Sequence, residues 1–115
     1  MNILYTIDNG FFEQLAVSIN SLITNVNNHV SIFVICKDIT DKNKKILYNF
    51  NTELSKIVLL PTPKIPKNLT PNRGSGSQFY RLMIGKIFKD IDIDRIVYLD
   101  ADTLIRDNIE GLFNI

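Results

Sequence analysis

The sequence predicts an α/β fold built on a mostly parallel sheet flanked by helices. Three observations predict it. Short apolar runs alternate along the chain with stretches whose apolar residues recur every three or four positions, in the order strand, helix, strand, helix, strand. The runs Ile3-Leu4-Tyr5-Thr6-Ile7 and Val30-Ser31-Ile32-Phe33-Val34-Ile35-Cys36 are nearly continuously apolar, as strands covered on both faces are. Turn chemistry, Asp8-Asn9-Gly10, closes the first run directly before a helical pattern. With 115 residues the chain suffices for one compact domain, 1–115, and not for two.

The elements follow in order. After the first strand, Phe12, Leu15, Ala16, Ile19, Leu22, Ile23 and Val26 line one face of a helix that Asn27-Asn28 ends. The second strand covers residues 30–36. Thr40 caps a second helix with Ile46, Leu47, Phe50 and Leu54 on its inner face. Ile57-Val58-Leu59-Leu60 is a third strand. Residues 61–77 break the pattern, holding all four prolines and ending in Gly74-Ser75-Gly76-Ser77. No Lys-Ser/Thr pair follows those glycines, so they are not a phosphate-binding P-loop. The loop reads equally as a lid and as plain surface. A helix is expected over residues 79–88, then a strand Arg95-Ile96-Val97-Tyr98-Leu99 that runs into Asp100-Ala101-Asp102. Thr103-Leu104-Ile105 continues extended, and Ile109, Leu112 and Phe113 mark a short amphipathic end.

Composition narrows the function. Thirteen basic and twelve acidic residues leave a net charge of +1, which gives no pull toward nucleic acid or an anionic membrane. Lys42, Lys44 and Lys45 read as a solvated helix face. The single cysteine, Cys36, excludes an internal disulfide and reads as a core thiol. The single histidine, His29, reads as a loop residue with no nucleophile beside it. No secretory leader and no membrane-length apolar stretch is visible, so a reducing cytoplasmic setting is expected.

Asp100 and Asp102 carry the chemistry. On an extended segment, residues two apart point to the same side. Paired carboxylates repel and each resists ionising unless a cation lies between them. A hard divalent ion accepts such oxygens and in turn holds a diphosphate. Two solvated aspartates at a strand end remain the other reading. Asp8, with Asn9, sits at the same edge of the sheet. It reads either as a helix cap or as an acceptor for a base N–H, with Phe11 stacking on the base. Arg81 suits phosphate or hydroxyl recognition, or else covers apolar surface with its stem.

Three stretches, in this order, resemble family 8 glycosyltransferases, the retaining group that includes bacterial lipopolysaccharide galactosyl- and glucosyltransferases and glycogenin. They are Ile3-Leu4-Tyr5-Thr6-Ile7-Asp8-Asn9, then Phe79-Tyr80-Arg81-Leu82, then Arg95-Ile96-Val97-Tyr98-Leu99-Asp100-Ala101-Asp102-Thr103-Leu104-Ile105-Arg106-Asp107-Asn108-Ile109-Glu110-Gly111-Leu112-Phe113. The resemblance implies a Rossmann-like GT-A fold, a UDP-sugar donor, and Mn2+ or Mg2+ held by Asp100 and Asp102. It implies uracil bound by Asp8, backbone contacts from Thr6, donor contacts from Asn9 and Arg81, and ribose against Ala101. Phe11 stands where the family often has a tyrosine, and Gly10 departs from the usual Asp-Asp/Asn-Asn-Tyr pattern. The implied acceptor is a glycan or lipid-linked sugar such as lipopolysaccharide. The implied third metal ligand is a downstream histidine that this chain does not supply. The chain therefore reads as the N-terminal part of a longer enzyme, inactive alone, self-associating through an exposed sheet edge, and peripheral to the inner membrane when complete. Two alternatives stand beside this reading. Asp100-Ala101-Asp102-Thr103-Leu104 resembles the first motif of haloacid-dehalogenase-like phosphatases, although that motif normally lies near the N-terminus. A non-catalytic Rossmann-like binding domain is the third reading; the missing G-x-G-x-x-G argues against dinucleotides.

Overall fold

The computed structural model describes residues 1–64 and 84–114. The first strand, β1, is Asn2–Asp8. A single 3-10 turn, Asn9–Phe11, leads into helix α1, Phe12–Thr24. Strand β2 is Val30–Lys37, helix α2 Asp41–Tyr48 and strand β3 Ser55–Leu60. A helical turn α3, Ile84–Ile87, precedes the short strand β4, Val97–Tyr98, and a second 3-10 turn spans Glu110–Asn114. No helix among the described residues is long and apolar enough to cross a membrane. The expected helix over 79–88 is described only from residue 84, and the glycine–serine stretch lies outside the described residues.

All pairings are parallel, as expected, in the order β3-β2-β1-β4. Alternation assigns the two faces of the sheet. Ile3, Tyr5, Ile7, Ile32, Val34 and Cys36 pack with Phe12, Leu15, Ile19 and Leu22 of α1 and Leu47 of α2. Leu4, Phe33 and Ile35 face the other way, onto Ile84, Ile87, Phe88 and Ile91. There the Phe33 and Phe88 rings meet edge to face at 5.2 Å. Both faces of β1 and β2 are therefore covered, which is why their sequences do not alternate. Cys36 lies in this core, and burial, with Asp8 and Asp38 nearby, pushes its thiol up to about 11. A thiol held protonated in this way is no nucleophile.

Local chemistry sets the ends of the elements. Thr40 Oγ1 accepts the Asn43 N–H at 3.2 Å, the expected cap of α2. Thr40→Ala should lower stability by about 1 kcal/mol, read as a shift of the urea midpoint at constant slope. The helix stops at Tyr48, earlier than the apolar spacing predicts, so Leu54 is not on its face. Side-chain hydrogen bonds to the backbone compete there with further helix. Asn51 Oδ1 takes the Ile57 N–H at 2.7 Å, and Thr52 Oγ1 takes those of Leu54 and Ser55 at 3.2 and 3.0 Å. The last strand is shorter than expected, two residues instead of five. Residues 100–103 form a turn closed by the Thr103 N–H on the Asp100 carbonyl at 3.1 Å. The extended course expected for residues 99–105 is thus corrected, and strand alternation does not set the directions of the two carboxylates.

Candidate functional site

The strand order creates the site. From β1 the chain steps to β2 and β3 on one side, then returns to place β4 on the other. In an open α/β sheet, ligands bind beyond the carboxyl ends of the strands where the order reverses. Here the order reverses between β1 and β4. β1 pairs with β4 through Ile3 with Val97 and Leu4 with Tyr98, and the Leu99 N–H reaches the Leu4 carbonyl at 3.0 Å. The Thr6 and Tyr98 hydroxyls meet at 2.6 Å and tie the two strands together just below the edge. β1 ends in Asp8, and Asp100 and Asp102 follow the end of β4.

Each nominated residue has a definite place. Asp8 Oδ1 accepts the Gly10 N–H at 3.0 Å, which caps the 3-10 turn; the cap lies one turn ahead of α1. A methyl group added at Gly10 would stand 3.1 Å from that same oxygen, so glycine leaves room for the cap. Asn9 turns away from solvent chemistry: its Oδ1 accepts from Asn43 Nδ2 at 2.9 Å and from the Thr40 N–H at 3.3 Å. It fastens the end of β1 to the start of α2. Phe11 is 54% exposed. Asp100 and Asp102 are exposed, Ala101 between them is half-buried, and neither carboxylate has a partner among the described residues. Arg81 lies outside the described residues. Beside Asp102, a cavity of about 340 Å³ opens between residues 101–104 and Glu13, Gln14 and Val17 of α1. A larger one, about 540 Å³, lies at the amino-terminal ends of β2 and β3, by His29 and Lys56, away from every nominated residue.

Two exposed carboxylates without partners are hard oxygen donors that suit a divalent cation. Among the described residues no group of three or more His, Cys, Asp or Glu side chains comes together, so these two could supply only part of a ligand set.

The family model of glycosyl transferase family 8 matches residues 2–115. The chain belongs to glycosyl transferase family 8. It is 31% identical over its whole length to a Haemophilus influenzae protein assigned by inference as a glycosyltransferase, covering 36% of that protein. It is 26% identical to the lipopolysaccharide 1,2-glucosyltransferase of Escherichia coli, covering all of this chain and 35% of that enzyme. Among solved structures, the galactosyltransferase LgtC with donor and acceptor sugar analogues superposes on the whole chain with a TM-score of 0.81 at 21% identity, covering 42% of LgtC. That likeness shows the GT-A type of fold expected from the sequence. The chain spans little more than a third of the length of both of these curated relatives. Membership of family 8 sets the phosphatase alternative aside.

The family 8 chain also holds its turn with residues that no sequence pattern singled out. Asn25 Nδ2 donates to the Ser21 and Ile105 carbonyls, both at 2.9 Å, and Ser21 Oγ accepts the Ile105 N–H at 2.9 Å. These bonds also stop α1 at Thr24, ahead of the expected Asn27. Further on, Glu110 accepts from the Asn28 amide at 3.0 Å and from the Asn28 and Asn27 N–H groups at 3.0 and 3.3 Å. The signal available in the sequence was polar residues at 18, 21 and 25, a helical spacing on a helix whose neighbouring face is apolar.

Hydrogen bonds, the Asn28 amide first, hold the Glu110 carboxyl below its ordinary value. A carboxyl depressed by folding stabilises above its unfolded pKa, and that contribution disappears as pH falls through the folded value. The melting temperature of wild type should therefore exceed that of Glu110→Gln at pH 7. The two should converge on acidification below the usual glutamate range, in a thermal melt run at stepped pH.

Proposed function

We propose that residues 1–115 form the donor-binding domain of a cytoplasmic, metal-dependent hexosyltransferase that moves glucose or galactose from a UDP-sugar to a glycan acceptor such as lipopolysaccharide. One observation supports it above the others. The strand order reverses beside β1, so the segments bearing Asp8 and Asp100-Ala101-Asp102 follow the carboxyl ends of two neighbouring strands, where open α/β sheets bind ligands, in a family 8 chain.

The residues divide the work by their chemistry. Asp8 keeps one carboxylate oxygen for a uracil N–H while the other holds the 3-10 turn. Phe11 offers an exposed ring to the base. Thr6 contributes backbone, since its hydroxyl is engaged with Tyr98. Asn9 acts by joining β1 to α2, so its part in donor binding is to hold the Asp8 turn. Ala101 leaves room for a ribose between the two aspartates, and Arg81 addresses the diphosphate or donor sugar. Asp100 and Asp102 would hold Mn2+ or Mg2+. A cation held by these two carboxylates would supply positive charge to a diphosphate leaving group. Retention of anomeric configuration is the outcome this reading carries from the family.

Calorimetric titration of UDP with Mn2+, and again with chelator, tests the proposal. Binding that requires the metal is expected. Equal heats in both titrations, or none in either, overturn it.

A further inference from the structure

The turn that carries the two aspartates is anchored by a line of hydroxyl groups from the centre of the core. Tyr5 and Ser18 are both fully buried, and their hydroxyl oxygens are 2.8 Å apart. Ser18 Oγ lies 3.4 Å from Thr103 Oγ1, and the Thr103 hydroxyl donates to the Asp100 carbonyl at 2.7 Å. Each hydroxyl has one proton to give. Thr103 gives its proton to Asp100, so it accepts from Ser18; Ser18 in turn accepts from Tyr5. The order of donation is thereby fixed: Tyr5 to Ser18, Ser18 to Thr103, Thr103 to the Asp100 backbone. Burial pushes the Tyr5 phenol up to about 12, so the first donor keeps its proton throughout the physiological range.

With Tyr5 donating to Ser18, the buried Ser18 proton finds its acceptor in Thr103, and the line ends on the turn. It is reinforced from the same face of α1, where Ser21 and Asn25 grip both polar groups of the Ile105 backbone. Asp102 thus lies between anchored groups, Thr103 and Ile105 on one side and the Asp100 carbonyl on the other. Exposed carboxylates without partners of their own are ordered only as well as the backbone beneath them.

We infer that Ser18 and Thr103 are positioning residues, which fix the backbone of the Asp100–Asp102 turn from the core and so set the cation affinity of its carboxylates. The inference rests on the metal-dependent donor-binding reading above. It assigns no contact with metal or substrate to either hydroxyl; both act through the Asp100 carbonyl.

The test measures free Mn2+ by its electron paramagnetic resonance signal as the chain is titrated with UDP present, for wild type, Thr103→Val, Thr103→Ser, Ser18→Ala and Asp100→Ala. Thr103→Val keeps the branched shape and removes the hydroxyl. It should weaken Mn2+ uptake about three- to tenfold, the consequence of one lost hydrogen bond. Thr103→Ser should restore uptake to within about twofold of wild type, since it returns the donor. Ser18→Ala should act in the same direction. Thr103 is on a partly exposed turn, so its variants keep the test decisive if Ser18→Ala does not fold. Amide hydrogen exchange over residues 100–105 should quicken in Thr103→Val and not in Thr103→Ser. If Asp100→Ala abolishes uptake while Thr103→Val matches wild type in uptake and exchange, the positioning role is overturned alone. If wild type itself takes up no Mn2+ with UDP, the functional reading fails and the positioning role falls with it.

Discussion

Asp100→Ala should abolish the metal-dependent part of UDP binding while leaving the fold intact. Loss of a group that merely supports a metal ligand costs roughly 10- to 100-fold in metal affinity, so loss of a ligand should cost at least about 100-fold. That corresponds to about 2.7 kcal/mol or more. The Asp100 side chain is exposed and has no partner among the described residues, whereas its structural bonds with Thr103 are made by its backbone carbonyl. Alanine keeps that carbonyl. Stability should then move by no more than about 0.5 kcal/mol, as for other surface substitutions. Calorimetry with Mn2+ and UDP, together with a thermal melt, separates the two effects. A variant that binds UDP and Mn2+ as tightly as wild type would falsify the assignment of Asp100 as a ligand.

The largest expected effect on stability is that of Leu15→Ala. Leu15 is fully buried and points from α1 onto the sheet face formed by Ile3, Tyr5, Ile32 and Val34. Truncation removes its transfer energy and leaves a cavity that a close-packed interior only partly fills. The cost should be about 2–5 kcal/mol. For a chain of this size that lowers the melting temperature by roughly 10–20 °C, measurable by circular dichroism. Val17 is on the same helix but 60% exposed, so Val17→Ala should change the melting temperature by no more than about 3 °C. If the two variants melted together, the assignment of the buried face of α1 would be wrong.

Much of this architecture was legible in the residues. The strands over 3–7 and 30–36, the α1 face and the Thr40 cap all follow from periodicities and cap preferences that act over a few residues. The errors occurred where side chains bond to a distant or competing backbone group. The helix from Thr40 was drawn too long because Asn51 and Thr52 take up the N–H groups of residues 54, 55 and 57. The extended course expected for Asp100-Ala101-Asp102 gives way to a turn because the Thr103 hydroxyl bonds the Asp100 carbonyl three residues back, a local bond that competes with strand. Asn9 also fastens β1 to α2 through Asn43, 34 residues away, a contact that no local pattern reveals.

The amino-acid sequence alone determined the element types, the parallel arrangement, the doubly covered strands and the presence of an acidic pair at a strand end. Those properties depend on backbone periods of 3.6 and 2 and on residue type, which a short window contains in full. Only the tertiary structure decided that β4 pairs with β1 instead of extending past β3, and that Ser18 meets Thr103 across 85 positions of sequence. Such choices are made by the total burial and hydrogen bonding of the whole chain, to which no local window has access, and they bring the two acidic segments to the ends of neighbouring strands.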